Sequence, residues 1–199
     1  MTITKLPQLL SDARTLDLIA RRAIVLLQPL APFEHVELLK DVCRDWDDTT
    51  HVTLFEGGLF DTSNGLTVAF DWQELGSFMT SYARSVVPKG EGTYLVGAIS
   101  TNGRCRDQDI VQVTQLSLDA DGTGDWTRGL KTLDAAGLAY IAARSSSHSM
   151  LKPKFHLHLP LLNYWSGDKA EWRQFYRYAV GVFSTIFGLN MSLDQTPYV

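Results

Sequence analysis

Residues 109–122 read DIVQVTQLSLDADG, an apolar run that ends in two carboxylates two positions apart. Side chains alternate across a strand, so Asp119 and Asp121 are expected to point to the same side at its C-terminal end. Carboxylates converging there repel each other unless a cation lies between them, and hard oxygen ligands of this kind suit Mg²⁺ or Mn²⁺. Asp and Gly also favour a plain turn where a strand ends.

Strand and helix patterns alternate on the C-terminal side of this stretch. A helix is expected within 125–137, a strand at LAYIAA (138–143) and another at KFHLHLPLL (154–162). A long helix follows in 166–188, with Ser166 as its N-cap, Gly188 as its end, and Trp172, Phe175, Tyr176, Ala179 and Phe183 as a wide apolar face. On the N-terminal side, TYLVGAIS (93–100) reads as a strand, and VTLFEGGLF (52–60) and GLTVAF (65–70) as β-rich runs about the turn-forming DTSNG. Asp71 reads as the N-cap of a helix running to position 84. Leu16, Ile19, Ala20, Ala23 and Leu27 recur at helical spacing, and a second helix is expected over 32–46 with Phe33, Val36, Leu39 and Cys43 on its apolar side. The expectation is an α+β fold with a mixed β-sheet: a helical N-terminal element over 1–50 and a core over 51–199, together one compact unit.

With 199 residues, 45% of them hydrophobic and 20% charged, the chain is long enough to bury an ordinary core. Its net charge of −4 excludes a uniformly basic surface, so a nucleic-acid partner would be held by a local patch of Lys and Arg. Cys43 and Cys105 share no metal-ligand spacing, and the N-terminus lacks the basic segment and apolar run of a signal peptide. A reducing cytoplasm is the expected compartment. The run AIVLLQPLA is too short, and too soon interrupted by Pro29, to cross a bilayer, so no membrane role is expected.

Three of the five histidines fall within residues 145–161, SSSHSMLKPKFHLHLPL. Alternation places His156 and His158 on one strand face and turns Leu157 and Leu159 into the core. Lys152 and Lys154 precede them, and Arg144 and His148 lie just before. Such donors suit phosphate oxygens while metals neutralise the remaining charge. A solvated edge strand is the plainer reading of the same alternation.

A further acid, Asp194, follows the last helix in LNMSLDQTPY. Three acids from two strands can hold two metal ions about 3.5–4 Å apart, the spacing of in-line phosphoryl transfer.

The succession LSLDADG, YIAARSSSH, KPKFHLHLPL, the tryptophan-bearing helix and LDQTPY resembles the archaeo-eukaryotic primase superfamily, especially phage and plasmid primase-polymerases. The resemblance runs from Arg104 to Tyr198, about half of the chain. It implies an RRM-like catalytic sheet and a DNA-directed primase or polymerase that transfers nucleotides from NTPs or dNTPs with two Mg²⁺ or Mn²⁺ ions. Asp119 and Asp121 match the family's first motif and Asp194 its third. The Ser-x-His of the second motif corresponds either to Ser146-Ser147-His148 or to His156-Leu157-His158. Ser147, His148, Lys154, His156 and His158 are therefore the implied nucleotide-binding residues, and Arg104, Arg106 and Arg128 the candidate template contacts. The implied partners are a DNA template and a replicative helicase, or a helicase module missing from a chain that stops at Val199. The implied setting is the cytoplasm of a bacterial host, with phage or plasmid coding.

Two other readings use the same residues. HLH also looks like the H-hydrophobic-H metal motif of rolling-circle initiators and relaxases, with Tyr176 or Tyr178 as the nucleophile that attacks DNA. The third reading is a non-catalytic module that binds DNA or a nucleotide, with Trp126 and Trp165 stacking on bases. The nickase reading leaves Asp119, Asp121 and Asp194 without a common role, which favours the polymerase reading.

Overall fold

The computed structural model describes residues 49–56, 63–84, 92–106, 108–121, 126–145, 148–149, 151, 154–188 and 190–192. The helices expected before position 49 lie outside the described residues. So do Ser147, Lys152 and Asp194.

Two antiparallel sheets and three helices make up the described fold. The smaller sheet has the order β2-β1-β3, from β1 (Thr49–Phe55), β2 (Leu66–Asp71) and β3 (Tyr94–Val96). Helix α1 (Trp72–Arg84) follows β2 directly. Its start is fixed by a reciprocal cap: Asp71 Oδ1 accepts from the amides of Gln73 (2.8 Å) and Glu74 (3.3 Å), and Glu74 Oε2 accepts from the Asp71 amide at 3.3 Å.

The larger sheet contains β4 (Ala98–Ser100), β5 (Ile110–Asp121), β6 (Ile141–Arg144), β7 (Lys154–Trp165) and β8 (Asn190–Ser192). Helix α2 (Trp126–Ala135) links β5 to β6, and α3 (Lys169–Phe187) links β7 to β8. β7 occupies one edge of β5. β4 and β8 share the other, β4 at the N-terminal end of β5 and β8 at Asp119–Asp121. The spatial order is therefore β8-β5-β7-β6 along the C-terminal half of β5.

The α+β class is as expected, whereas the mixed sheet is not found: every described pairing is antiparallel. β5 and β6 do run in the same direction, but β7 lies between them and opposes both.

The core sits between the larger sheet and helices α2 and α3. Leu116, Leu118 and Ala120 of β5 and Phe155, Leu157 and Leu159 of β7 pack there with Leu133, Trp172, Tyr176, Phe183 and Phe187. The two helices approach closely at Gly129, where a Cβ would run into the Phe187 ring. The five apolar residues expected on α3 are all buried. Its N-cap is Asp168, not Ser166: Asp168 Oδ1 accepts from the amides of Ala170 (2.7 Å) and Glu171 (3.3 Å). A carboxylate there also complements the helix dipole. Gly188 ends α3 in the left-handed conformation at φ 59°. A second cluster of Val52, Trp72, Leu75 and Ala139, with Ile141 packed against it, ties the smaller sheet and α1 to β6.

Candidate functional site

Because Leu116, Leu118 and Ala120 face the helices, the alternate residues Gln115, Ser117 and Asp119 belong to the opposite face of β5. The antiparallel register sets Ser117 against His158, Asp119 against His156, and Asp121 against Lys154. On the far side of β5, β8 sets Ser192 against Asp119 and Asn190 against Asp121. The acid-bearing and histidine-bearing strands are thus direct neighbours, and their motifs meet residue by residue.

The row runs from a buried neutral end to an open charged end. Gln115 is buried beneath β1, with Nε2 3.5 Å from Thr50 Oγ1. Ser117 and His158 are also buried, and Ser117 Oγ lies 3.0 Å from His158 Nδ1. Burial, and then the neighbouring His156, push the His158 pKa down to about 3, so this imidazole is neutral in ordinary buffers. One register position further, His156 Nδ1 lies 3.5 Å from Asp119 Oδ1, and these side chains are 26% and 23% exposed. The rings of His156 and His158 are 6.4 Å apart, centroid to centroid. His158 is therefore the buried imidazole of the pair and His156 the partly exposed one.

His148 holds the start of β7. Its Nδ1 is 3.1 Å from the Lys154 amide and accepts from it, while the Ser145 amide donates to the Lys154 carbonyl at 3.0 Å. Lys154 itself is half-buried opposite Asp121. The backbone of Asp121 is in the strand, but its side chain lies outside the described set. Among the described residues no three His, Cys, Asp or Glu side chains come together as a metal group; of the three expected acids, Asp119 alone has a described side chain.

Arg104 and Arg106 lie before β5, about 30 Å along the strand from Asp119 at ~3.3 Å per residue. Arg128 is exposed in the first turn of α2, at the same end as Asp119. Trp165 is buried in the core, and Trp126 is partly buried against Phe155 with centroids 6.2 Å apart. Both are packing residues first.

Tyr176 is fully buried and its hydroxyl donates to the Ser117 carbonyl. Ser117 belongs to the stretch of β5 between the residues paired with β4 and those paired with β8 among the described residues. The Tyr178 hydroxyl is buried without a hydrogen-bond partner among the described residues, and burial raises its pKa.

A cleft of about 520 Å³ opens between α1 and β6, lined by Trp72, Gln73, Gly76, Ser77, Tyr140 and Ile141 among others. It reaches Ile141, the β6 neighbour of His158, but neither Asp119 nor His156. The Asp119–His156 contact is therefore not part of this cleft.

Sequence reasoning missed Ser117 as part of the site, although it was legible by stepping the alternation back two places from Asp119. Tyr176 was read as an apolar-face residue or a nucleophile; its bond to the Ser117 carbonyl had no signal in the sequence, because a backbone acceptor carries no residue identity. Comparison with models of known families, with curated proteins and with solved structures finds no match to this chain.

Proposed function

We propose that this chain is the catalytic core of a template-dependent primase-polymerase, built on an RRM-like sheet. The β5-α2-β6-β7-α3-β8 connectivity with order β8-β5-β7-β6 supports the RRM-like reading, since it is the split βαβ arrangement of two interleaved units. The observation that carries the functional reading is the facing of Asp119 and His156 across β5 and β7 on the open part of the polar row. An anionic and a donor-bearing side chain share one partly exposed surface, as a nucleotide with its cation requires.

Asp119, Asp121 and Asp194 would hold the Mg²⁺ or Mn²⁺ ions. Ser192 is paired opposite Asp119, two positions before Asp194 in the chain. Bound there, the ions supply activation of a primer 3′-hydroxyl and charge neutralisation on the leaving pyrophosphate. The chain's own part is positional. His156 and Lys154 donate to phosphate oxygens beside the acids, and His158 keeps the His156 strand face in place. His148 fixes the turn into β7, so that Lys154 meets Asp121.

The nickase alternative needs an accessible tyrosine, and burial of Tyr176 together with the raised pKa of Tyr178 weighs against it. Incubation with labelled NTPs or dNTPs on primed and unprimed templates, with Mg²⁺ or Mn²⁺, tests the proposal. Metal-dependent extension supports it; a tyrosine-linked DNA adduct, or binding without extension, replaces it with one of the other two readings.

A further inference from the structure

The outer face of α3 carries a second feature that the proposed site does not use. Six α3 residues are exposed: Ala170, Arg173, Gln174, Arg177, Gly181 and Thr185. None is acidic and none is a large apolar residue, although the chain as a whole has a net charge of −4. Lys169, Arg173 and Arg177 follow one another at four-residue spacing, which sets them about 6 Å apart along the axis with a drift of about 40° per step. They form a cationic stripe about 12 Å long.

The helix dipole does not account for it. Lys169 is the first helical residue, where the dipole disfavours a cation, and the last turn, where a cation is favoured, has no basic residue.

We infer that the Lys169–Arg173–Arg177 face of α3 binds the phosphodiester backbone of duplex DNA without reading its sequence. A protein partner needs aromatic or aliphatic anchors at the centre of its contact, and a membrane surface needs an apolar helix face; this face has neither. Beyond the cations it offers Gly181, where a Cβ would meet nothing within 4 Å, so a broad polyanion can lie close. Phosphate contacts from cations are the means by which proteins hold DNA irrespective of sequence. The buried side of α3 packs on the sheet face opposite the Asp119–His156 row, so a duplex held here leaves that row open.

The inference does not depend on the polymerase reading, because binding is measured with nucleotide and divalent metal left out. Fluorescence anisotropy of a labelled mixed-sequence duplex against salt gives the slope of log K on log salt, about −0.9 for each phosphate neutralised. Replacing the three cations together (Lys169→Gln, Arg173→Gln, Arg177→Gln) should flatten the slope by nearly three such steps, about 2.7. Arg177→Gln alone should remove about one step, 0.9, which guards against a folding defect in the triple variant. An unchanged slope and affinity in both variants, no duplex binding by the parent, or tighter binding of anionic vesicles or polyglutamate than of DNA would each overturn the assignment.

Discussion

Ser117 Oγ and His158 Nδ1 lie 3.0 Å apart inside the molecule, one register position away from the partly exposed Asp119–His156 contact. A buried polar pair thus underlies the open one on the same two strands. Losing one partner of a buried hydrogen bond costs about 1–3 kcal/mol. Ser117→Ala should lower the stability read by urea unfolding by that amount, and an unchanged midpoint would show that the pair contributes nothing.

The same pair sets a pH dependence. The unfolded His158 takes up its proton near about 6.5, but the folded one only near 3. Protons therefore favour the unfolded chain between these values: stability is intact above about 6.5 and declines as the pH falls towards 3. At pH ~4.5 the loss from this group is on the order of 3 kcal/mol. His156 and Asp119 are the titratable groups beside it, and His158→Gln leaves both in place. Urea unfolding at two pH values should show the parent losing more stability on acidification than His158→Gln, and equal losses would contradict the assignment of a neutral buried imidazole.

Two glycines in helices should respond with opposite signs. At Gly129 an added Cβ meets the Phe187 ring, whereas at Gly181 it meets nothing within 4 Å. Gly129→Ala should destabilise by about 1–3 kcal/mol through overpacking, and Gly181→Ala should stabilise by roughly 0.5–1 kcal/mol through helix propensity. Thermal unfolding of the two variants reads the difference directly, and stabilisation by Gly129→Ala as well as by Gly181→Ala would show that the α2–α3 approach is looser than described.

Tyr176→Phe separates the enzyme readings. Removal of the hydroxyl should cost about 1 kcal/mol from its bond to the Ser117 carbonyl, and nucleotide incorporation should persist. A protein–DNA adduct formed by the parent and lost in Tyr176→Phe would favour the nickase reading.

The elements of the core were legible in the sequence because each has one apolar face. The period along 110–121 and 155–161 marks strands, and Trp172, Phe175, Tyr176, Ala179 and Phe183 mark the buried side of α3. Asp71 and Gly188 were readable as caps for the same local reason. Long-range features were not. Strand order decides that β7 lies between β5 and β6, and no local pattern encodes that order. Ser166 and Asp168 are both good caps, and the choice depends on where β7 releases the chain. In the candidate site, His156 and His158 share a strand face as alternation requires, but their different burial comes from the layer above His158, where Ile141 meets α1 and the smaller sheet.

His156 and His158 should fail in different ways. His156→Ala removes a donor to phosphate, so nucleotide affinity should fall by roughly ten- to a hundred-fold, the equivalent of about 1.5–3 kcal/mol. His158→Ala should show its effect mainly in stability. Nucleotide titration with metal present, beside urea unfolding, distinguishes the two; an affinity loss confined to His158→Ala would reverse their roles.

The most direct test is metal-dependent nucleotide incorporation on a primed template by the parent and by Asp119→Ala, with the fold of each checked by unfolding. The account predicts extension by the parent with Mg²⁺ or Mn²⁺, none after chelation, and none by a folded Asp119→Ala. Extension by Asp119→Ala at the parental rate would contradict it.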